Sequence, residues 1–348
     1  MVEGKWQVDS DLLAVVSLRY EEDQRTPIDA LEAYVRYRPV STSPWRWSVK
    51  AGAFFPPISL ENDEIGWTSY WTLTPSAINT WVGEELRTIG AEAKVELRGT
   101  TDTFEASAAV FAWNDPAGVL IADRGWAMGD LPTGLFDHVR LPDAFSAQIG
   151  GPAQLDSPMF KELDDRAGWY AGAKWTNADL GSVQALYYDN EADASRVRDN
   201  VIAWRTEFFS LGAQTKISNV VVLAQALAGE TEVKPFWGYD AVTRFWSAYV
   251  LAGWECDVWR FAARAEMFGS DQREHYFDFG GSDWENEDGD NGEHGHAFTF
   301  AATWAGEEWM RLTTELIFLH SFRRQRDVLG DLASSDQLQI QQSLRLYF

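Results

Sequence analysis

Basic residues set at alternating positions are the part of this chain best suited to chemistry. Arg36 and Arg38, Arg46 and Lys50, Lys94 and Arg98, Lys174, Arg205, Arg244, Arg260 and Arg264, and Arg311 and Arg345 all fall on the polar parity of extended stretches. Glu92, Glu96, Glu207, Glu266 and Glu315 share that parity but are fewer. Side chains alternate faces along a strand, so such a set would line one surface. Fixed cations around a narrow water-filled space lower the energy of an anion and raise that of a cation. The competing role is bracing, in which Arg and Glu on neighbouring strands pair across the wall. The run Glu92, Lys94, Glu96, Arg98 has that form.

Other chemistries find less support. The five histidines, His138, His275, His294, His296 and His320, lie in no nucleophile-elbow or zinc-protease context, so no enzyme is expected. The acidic run 283–296 invites a calcium reading. An EF-hand register starting at Asn286 puts Asn291 where Gly is required and Ala297 where the bidentate Glu belongs. Starting at Asp283 fails at the same two places, with Asp288 and His294. A solvated loop tip is the plainer reading, and no metal or cofactor is expected. The single cysteine, Cys256, allows neither an intrachain disulfide nor a thiolate metal cluster. With 53 Asp+Glu against 29 Lys+Arg and a net charge of −24, a nucleic-acid partner is excluded on electrostatic grounds.

The elements that must carry these residues are strands. Eighteen Trp and 20 Phe accompany a mean hydropathy of −0.29, which suits strands with one apolar and one wet face. Alternation predicts about 14 strands, within a range of 12–16, near 6–20, 29–38, 45–54, 88–98, 103–113, 167–176, 181–189, 200–212, 216–228, 240–252, 255–268, 296–304, 308–321 and 336–348. No apolar run is long enough for a transmembrane helix. Residues 1–11 are too polar for a secretory signal, so an exported form implies a leader already removed. Short gaps at 39–44, 99–102, 177–180, 212–215, 253–255 and 306–307 alternate with longer ones at 55–84, 114–165, 190–199, 269–293 and 323–335. Short turns at one end and long loops at the other characterise an outer-membrane barrel. An even strand count would put both termini at the turn end, with the first and last strands pairing. Trp45, Trp47, Trp169, Trp175, Trp204, Trp254, Trp259, Trp304 and Trp309 lie near predicted strand ends, the depth amphipathic rings favour in a bilayer.

Residues 338–348 place Leu338, Ile340, Leu344, Leu346 and Phe348 on one face and end on an aromatic residue. This resembles the closing strand of Gram-negative outer-membrane β-barrels, although Leu346 stands where that family more often has an aromatic. The resemblance implies an all-β transmembrane antiparallel barrel, bacterial outer-membrane localisation, contact with lipid and lipopolysaccharide, and delivery by the barrel assembly machinery through Phe348. It leaves monomer and trimer both open. The run Gly52-Ala53-Phe54-Phe55-Pro56 is similar to the strand end that precedes the infolded loop of phosphate-selective and related porins. Expected function is passive diffusion of small hydrophilic solutes, anionic or hydroxyl-rich. A substrate-specific oligosaccharide or organic-acid channel, a plugged structural or adhesin-like barrel, and a secreted carbohydrate-binding protein are the alternatives.

Two loops are too apolar to be free surface segments. Loops this long without secondary structure are usually functional or disordered, and their Trp, Leu and Phe content argues against disorder. The expectation is one barrel domain over 1–348 in which one or both of loops 55–84 and 114–165 turn inward, a packed external lid being the alternative. Trp81, Arg87, Arg124 and Trp126 are the constriction candidates.

Overall fold

The computed structural model describes residues 1–348 except 23, 142–155, 236–238, 278–282, 287–291, 329 and 348. Strands dominate. In chain order they are β1 (Val2–Gln7), β2 (Leu12–Tyr20), β3 (Ile28–Tyr37), β4 (Trp45–Phe54), β5 (Thr88–Arg98), β6 (Asp102–Ala112), β7 (Gly168–Asn177) and β8 (Gly181–Asp189). Then follow β9 (Arg205–Ile217), β10 (Val220–Val233), β11 (Tyr239–Cys256), β12 (Trp259–Phe277), β13 (Glu293–Glu307), β14 (Met310–Arg323) and β15 (Ser334–Leu346). Each pairs antiparallel with the next, so the ladder follows chain order, with the short strand Asp283–Asn286 added beside β12.

The connections sort by end. Short turns at 99–101, 178–180, 218–219, 257–258 and 308–309 lie at one end, while 55–87, 113–167 and 190–204 lie at the other. Helix α1 (Ala77–Glu85) and the single turn α2 (Val119–Asp123) sit in the two longest of these.

The outer face is greasy. Val35, Tyr37, Trp47, Val95, Phe104, Phe209, Leu211, Val250, Phe261, Phe298, Phe318 and Ile340 are between 38 % and 66 % exposed. Apolar surface of that extent is tolerated only against lipid or a partner. A sheet also satisfies its backbone polar groups by strand pairing, which hydrocarbon demands. Trp45, Trp254, Trp259 and Trp309 are exposed at the turn end, where the rings mark a membrane interface.

Several expectations are corrected. The stretch 6–20 is two strands: backbone hydrogen bonds of Val8 and Asp9 to Leu12 close a tight turn around Ser10. The sheet path therefore holds fifteen strands, within the expected range of 12–16, and β1 begins at the loop end rather than the turn end, with Val2 opposite Leu18. The last strand still ends at the turn end. No ladder joins β15 to β1 among the described residues. A cavity of about 680 Å³ is bordered there by Met1, Arg19 and Tyr20 on one side and by residues 341–346 of β15 and Tyr347 on the other. Leu31, on the apolar parity of the predicted strand 29–38, is fully buried inside, because a bulge opposite Ser17 and Leu18 shifts the parity of β3. Trp204 is core rather than girdle, packed with Val119, Leu120 and Ile202.

Arg205, Glu207 and Arg244 are on the outer face, not the inner one. They share parity with exposed Phe209, Leu211 and Trp246, while Phe208, Phe245 and Tyr249 are buried inside. The physical reason is that β9–β12 are apolar on both faces. Their inner side packs on infolded chain instead of water, so the greasier parity no longer identifies lipid. Both arginines sit toward the loop end, Arg205 with Asp189 at 3.1 Å and Arg244 with Glu230 at 3.5 Å.

Candidate functional site

The first infolded segment, 55–87, is pinned by ionisable groups of the inner wall. Arg264 on β12 is the hub. Its Nη1 donates to the Thr74 carbonyl at 2.9 Å, its Nη2 to the Pro75 carbonyl at 3.0 Å, and its Nε to Glu266 at 2.8 Å. Glu61 of the segment completes the pair at 3.2 Å, and all three charged side chains are fully buried. Glu266 accepts from the backbone N–H of Ala77 (2.7 Å), at the start of α1. Glu315 on β14 accepts from the N–H groups of Leu73 and Thr74 at 2.7 and 2.9 Å. Gln225 on β10 donates to the Ile58 carbonyl at 2.9 Å. Helix α1 forms because Ser76 caps it, its hydroxyl accepting from Asn79, after Pro75 has set an extended entry.

Trp81 packs edge-to-face with Phe208 and Phe245 of the wall and with Trp126 of the second segment, with ring centroids 5.0–6.2 Å apart. Trp126 Nε1 donates to the Gly269 carbonyl at 3.0 Å, and its backbone N–H to Glu293 at 2.8 Å. Arg323 donates to the carbonyls of Ala122 and Asp123. Gly125 has φ +82, a conformation strained for other residues, and a Cβ there would meet the Glu293 carboxylate and the Arg323 guanidinium. Arg124 pairs with Glu84, with Nη1 3.0 Å from Oε1. Arg87 is buried in a cage of carbonyls from Leu31, Gly83, Leu86 and Thr133, with the Phe55 ring 3.6 Å from its guanidinium. Trp81 and Trp126 thus meet directly, while Arg124 ties the second segment to Glu84 of α1 and Arg87 ties the end of the first segment to Thr133, so the four join the two segments as interior packing. Burial pushes the Glu85 carboxyl up to about 7, against the hydrogen bonds it accepts from Leu120, Trp81 and Gly118.

The remaining wall keeps a wet side. Arg36, Arg46, Lys94 and Lys174 face inward and are only half-buried. Several basic residues are paired: Arg38 with Glu96 (3.6 Å), Lys50 with Glu92 (3.3 Å), Lys94 with Glu105 (2.8 Å), and Arg98 with Glu96. Arg46 holds the turn, donating to the Ser43 carbonyl at 2.7 Å. Much of the predicted basic lining therefore braces the wall or anchors infolded chain. Arg260 donates to the Tyr70 carbonyl at 2.6 Å and stacks on the Tyr70 ring. The 680 Å³ cavity runs along the infolded segments, from Arg19, Tyr20 and Asp130 to Arg345 and Tyr347. Asn79, Thr80, Glu64, Gln341 and Ser343 line its sides.

Sequence reasoning missed Glu61, Gln225, Glu85, Glu293 and Arg323. The Pro75-Ser76 cap before Ala77 and Ile78 was the signal for α1. A carboxylate inside an apolar loop was the signal for Glu61. Asp115, Glu162 and Asp164 have carboxylate oxygens within 4.8 Å of one another, but accept from backbone N–H groups of Leu163, Trp113, Asp165 and Asp193. Phe348 and most of the acidic run 283–296 lie outside the described residues or their described side chains.

No protein-family model matches the chain, and no curated protein matches it. Solved structures do. The outer membrane channel DcaP of Acinetobacter baumannii is similar with a TM-score of 0.53 and 10% identity, covering 99% of this chain and 83% of that one. A loop L8 deletion mutant of OmpT, an outer membrane protein of Vibrio cholerae, gives 0.51 and 10%, covering 99% and 89%. Likeness at this identity concerns architecture. With its lipid-suited exterior and sequential antiparallel ladder, the chain has the fold of a transmembrane outer-membrane β-barrel.

Proposed function

We propose that this protein is a bacterial outer-membrane channel for passive diffusion of small hydrophilic solutes, narrowed by segments 55–87 and 114–141. One observation carries the reading. Between β15 and the infolded chain a cavity with both polar and apolar walls runs from residues at the loop end to residues at the turn end. Water-filled space with charged walls beside a lipid-facing sheet is the arrangement of a diffusion pore. The inward basic residues are partly neutralised by Glu92, Glu96 and Glu105, so we assign only a modest anion preference.

A plugged barrel that displays its loops is the second reading. The apolar cluster of Trp71, Ile78, Trp81 and Trp126 against Phe208, Phe245 and Phe268 favours it, since that half of the interior is solid. Planar-bilayer recording in a KCl gradient separates the two. A channel gives discrete steps with a small reversal potential of anion-selective sign. A clear cation preference removes the anion assignment, and inserted protein without steps removes the channel.

A further inference from the structure

Arg311 on β14 and Arg345 on β15 are register partners, directly opposite in the ladder. Both face inward, since Leu312, Leu344 and Leu346 on the other parity are exposed outside. Like charges so placed repel, and arginine stays protonated in proteins. Glu64 of the infolded segment compensates Arg345 at 3.5 Å. Arg311 has no carboxylate within ion-pair reach among the described residues, and its guanidinium lies over the Tyr347 ring at 4.9 Å.

A third arginine, Arg260, borders the same small cavity, together with Glu64, Tyr70, Thr303 and Thr313. It is 8 % exposed, yet its Nε has no hydrogen-bond partner. Glu255 lies 3.6 Å from that nitrogen. The Thr303 and Thr313 hydroxyls hydrogen-bond each other at 2.9 Å, which leaves one O–H free to donate. The space is about 20 Å³, room for a single water-sized group, and it shares Glu64, Leu73 and Arg345 with the larger cavity, so the body of any solute would lie there.

We propose that Arg260, Arg311 and Arg345 form a subsite for one oxyanion group, a carboxylate or phosphate carried by a small solute, at the turn end of the passage. Donors outnumber acceptors here, and the guanidinium fork matches planar or tetrahedral oxyanions. The Arg260 guanidinium lies over the Tyr70 ring at 3.1 Å and that of Arg311 over the Tyr347 ring at 4.9 Å, so two of the three already have a neighbour that positions them. The subsite deepens the channel reading and rests on it for its biological use, but not for its chemistry.

Detergent-solubilised protein titrated calorimetrically with acetate and, separately, with inorganic phosphate tests the site. One saturable site is expected, weakened about tenfold or more in Arg311→Gln and in Arg345→Gln, since a charge-assisted hydrogen bond contributes that much. Arg311→Lys should recover part of the loss, and Arg205→Gln on the outer face should bind as wild type. The tighter of the two probes identifies the ligand class. Removing one of two facing cations relieves repulsion, so Arg311→Gln should keep the native heat-modifiable mobility. Absence of saturable binding by either anion, or wild-type binding in Arg311→Gln, overturns the proposal. Binding without bilayer conductance would keep the subsite and end the channel reading. Conductance without binding would do the reverse.

Discussion

Arg264 on β12 and Glu61 in the first infolded segment meet at 3.2 Å with both side chains fully buried. They are 203 positions apart in sequence, so the pair closes a long loop onto the opposite wall. Glu266 and the carbonyls of Thr74 and Pro75 complete the arginine's shell. A buried ion pair is weak evidence for stability in itself, but removing one partner strands the other charges. The interior of this barrel is therefore organised by charge at the anchors and by aromatic packing between them.

Glu85 provides a pH test. Its folded-state carboxyl is raised to about 7 by burial, above the usual 4.5 or so of a free glutamate. The raised value means the folded protein holds a proton that the unfolded chain releases. The contribution is greatest below about pH 4.5, falls as pH rises toward 7, and is flat beyond, by an amount on the order of 3 kcal/mol. Thermal unfolding followed by heat-modifiable gel mobility should show resistance declining over that window. Glu85→Gln should flatten it, and an unchanged pH slope in the variant would refute the assignment.

Val250 tests which face meets hydrocarbon. It is 52 % exposed on the outer face of β11, and an arginine there would cost about 2–4 kcal/mol near the bilayer midplane. Arg244→Gln, nearer the loop end on the same strand, should change stability by less than about 1 kcal/mol. Unfolding in lipid bilayers by denaturant measures both. Equal, small effects would mean that this face does not lie in lipid.

Cys256 reports topology without engineering. It is exposed and ends β11 at the turn end. If short turns face the periplasm, an impermeant maleimide should leave intact cells unlabelled and react once the outer membrane is opened. Labelling of intact cells would invert the orientation.

Much of the barrel is legible because lipid and water impose a period of two on each strand. That rule gave the outward set on β4–β7 and β13–β15. It misleads on β9–β12, where apolar residues fill both parities because the inner side packs on α1 and Trp126. Arg205 and Arg244 read as inward by alternation for that reason. Alternation also runs straight through Asp9, Ser10 and Asp11, three turn-forming residues that separate β1 from β2. The partners Glu61 and Arg264 were not legible as a pair, since neither local spacing nor composition encodes a contact across the lumen. Glu266 and Glu315 were legible as inward carboxylates but not as anchors of Leu73, Thr74 and Ala77.

Single-channel conductance of wild type and Arg264→Met, recorded in the same bilayer, tests the central claim most directly. Losing the hub leaves Glu61 and Glu266 buried without their partner, a penalty of about 3–5 kcal/mol that should loosen segment 55–87 while the β-ladder persists. The account predicts small ohmic steps for wild type and steps several-fold larger for the variant. Identical steps in both, or no steps from either protein once inserted, would contradict it.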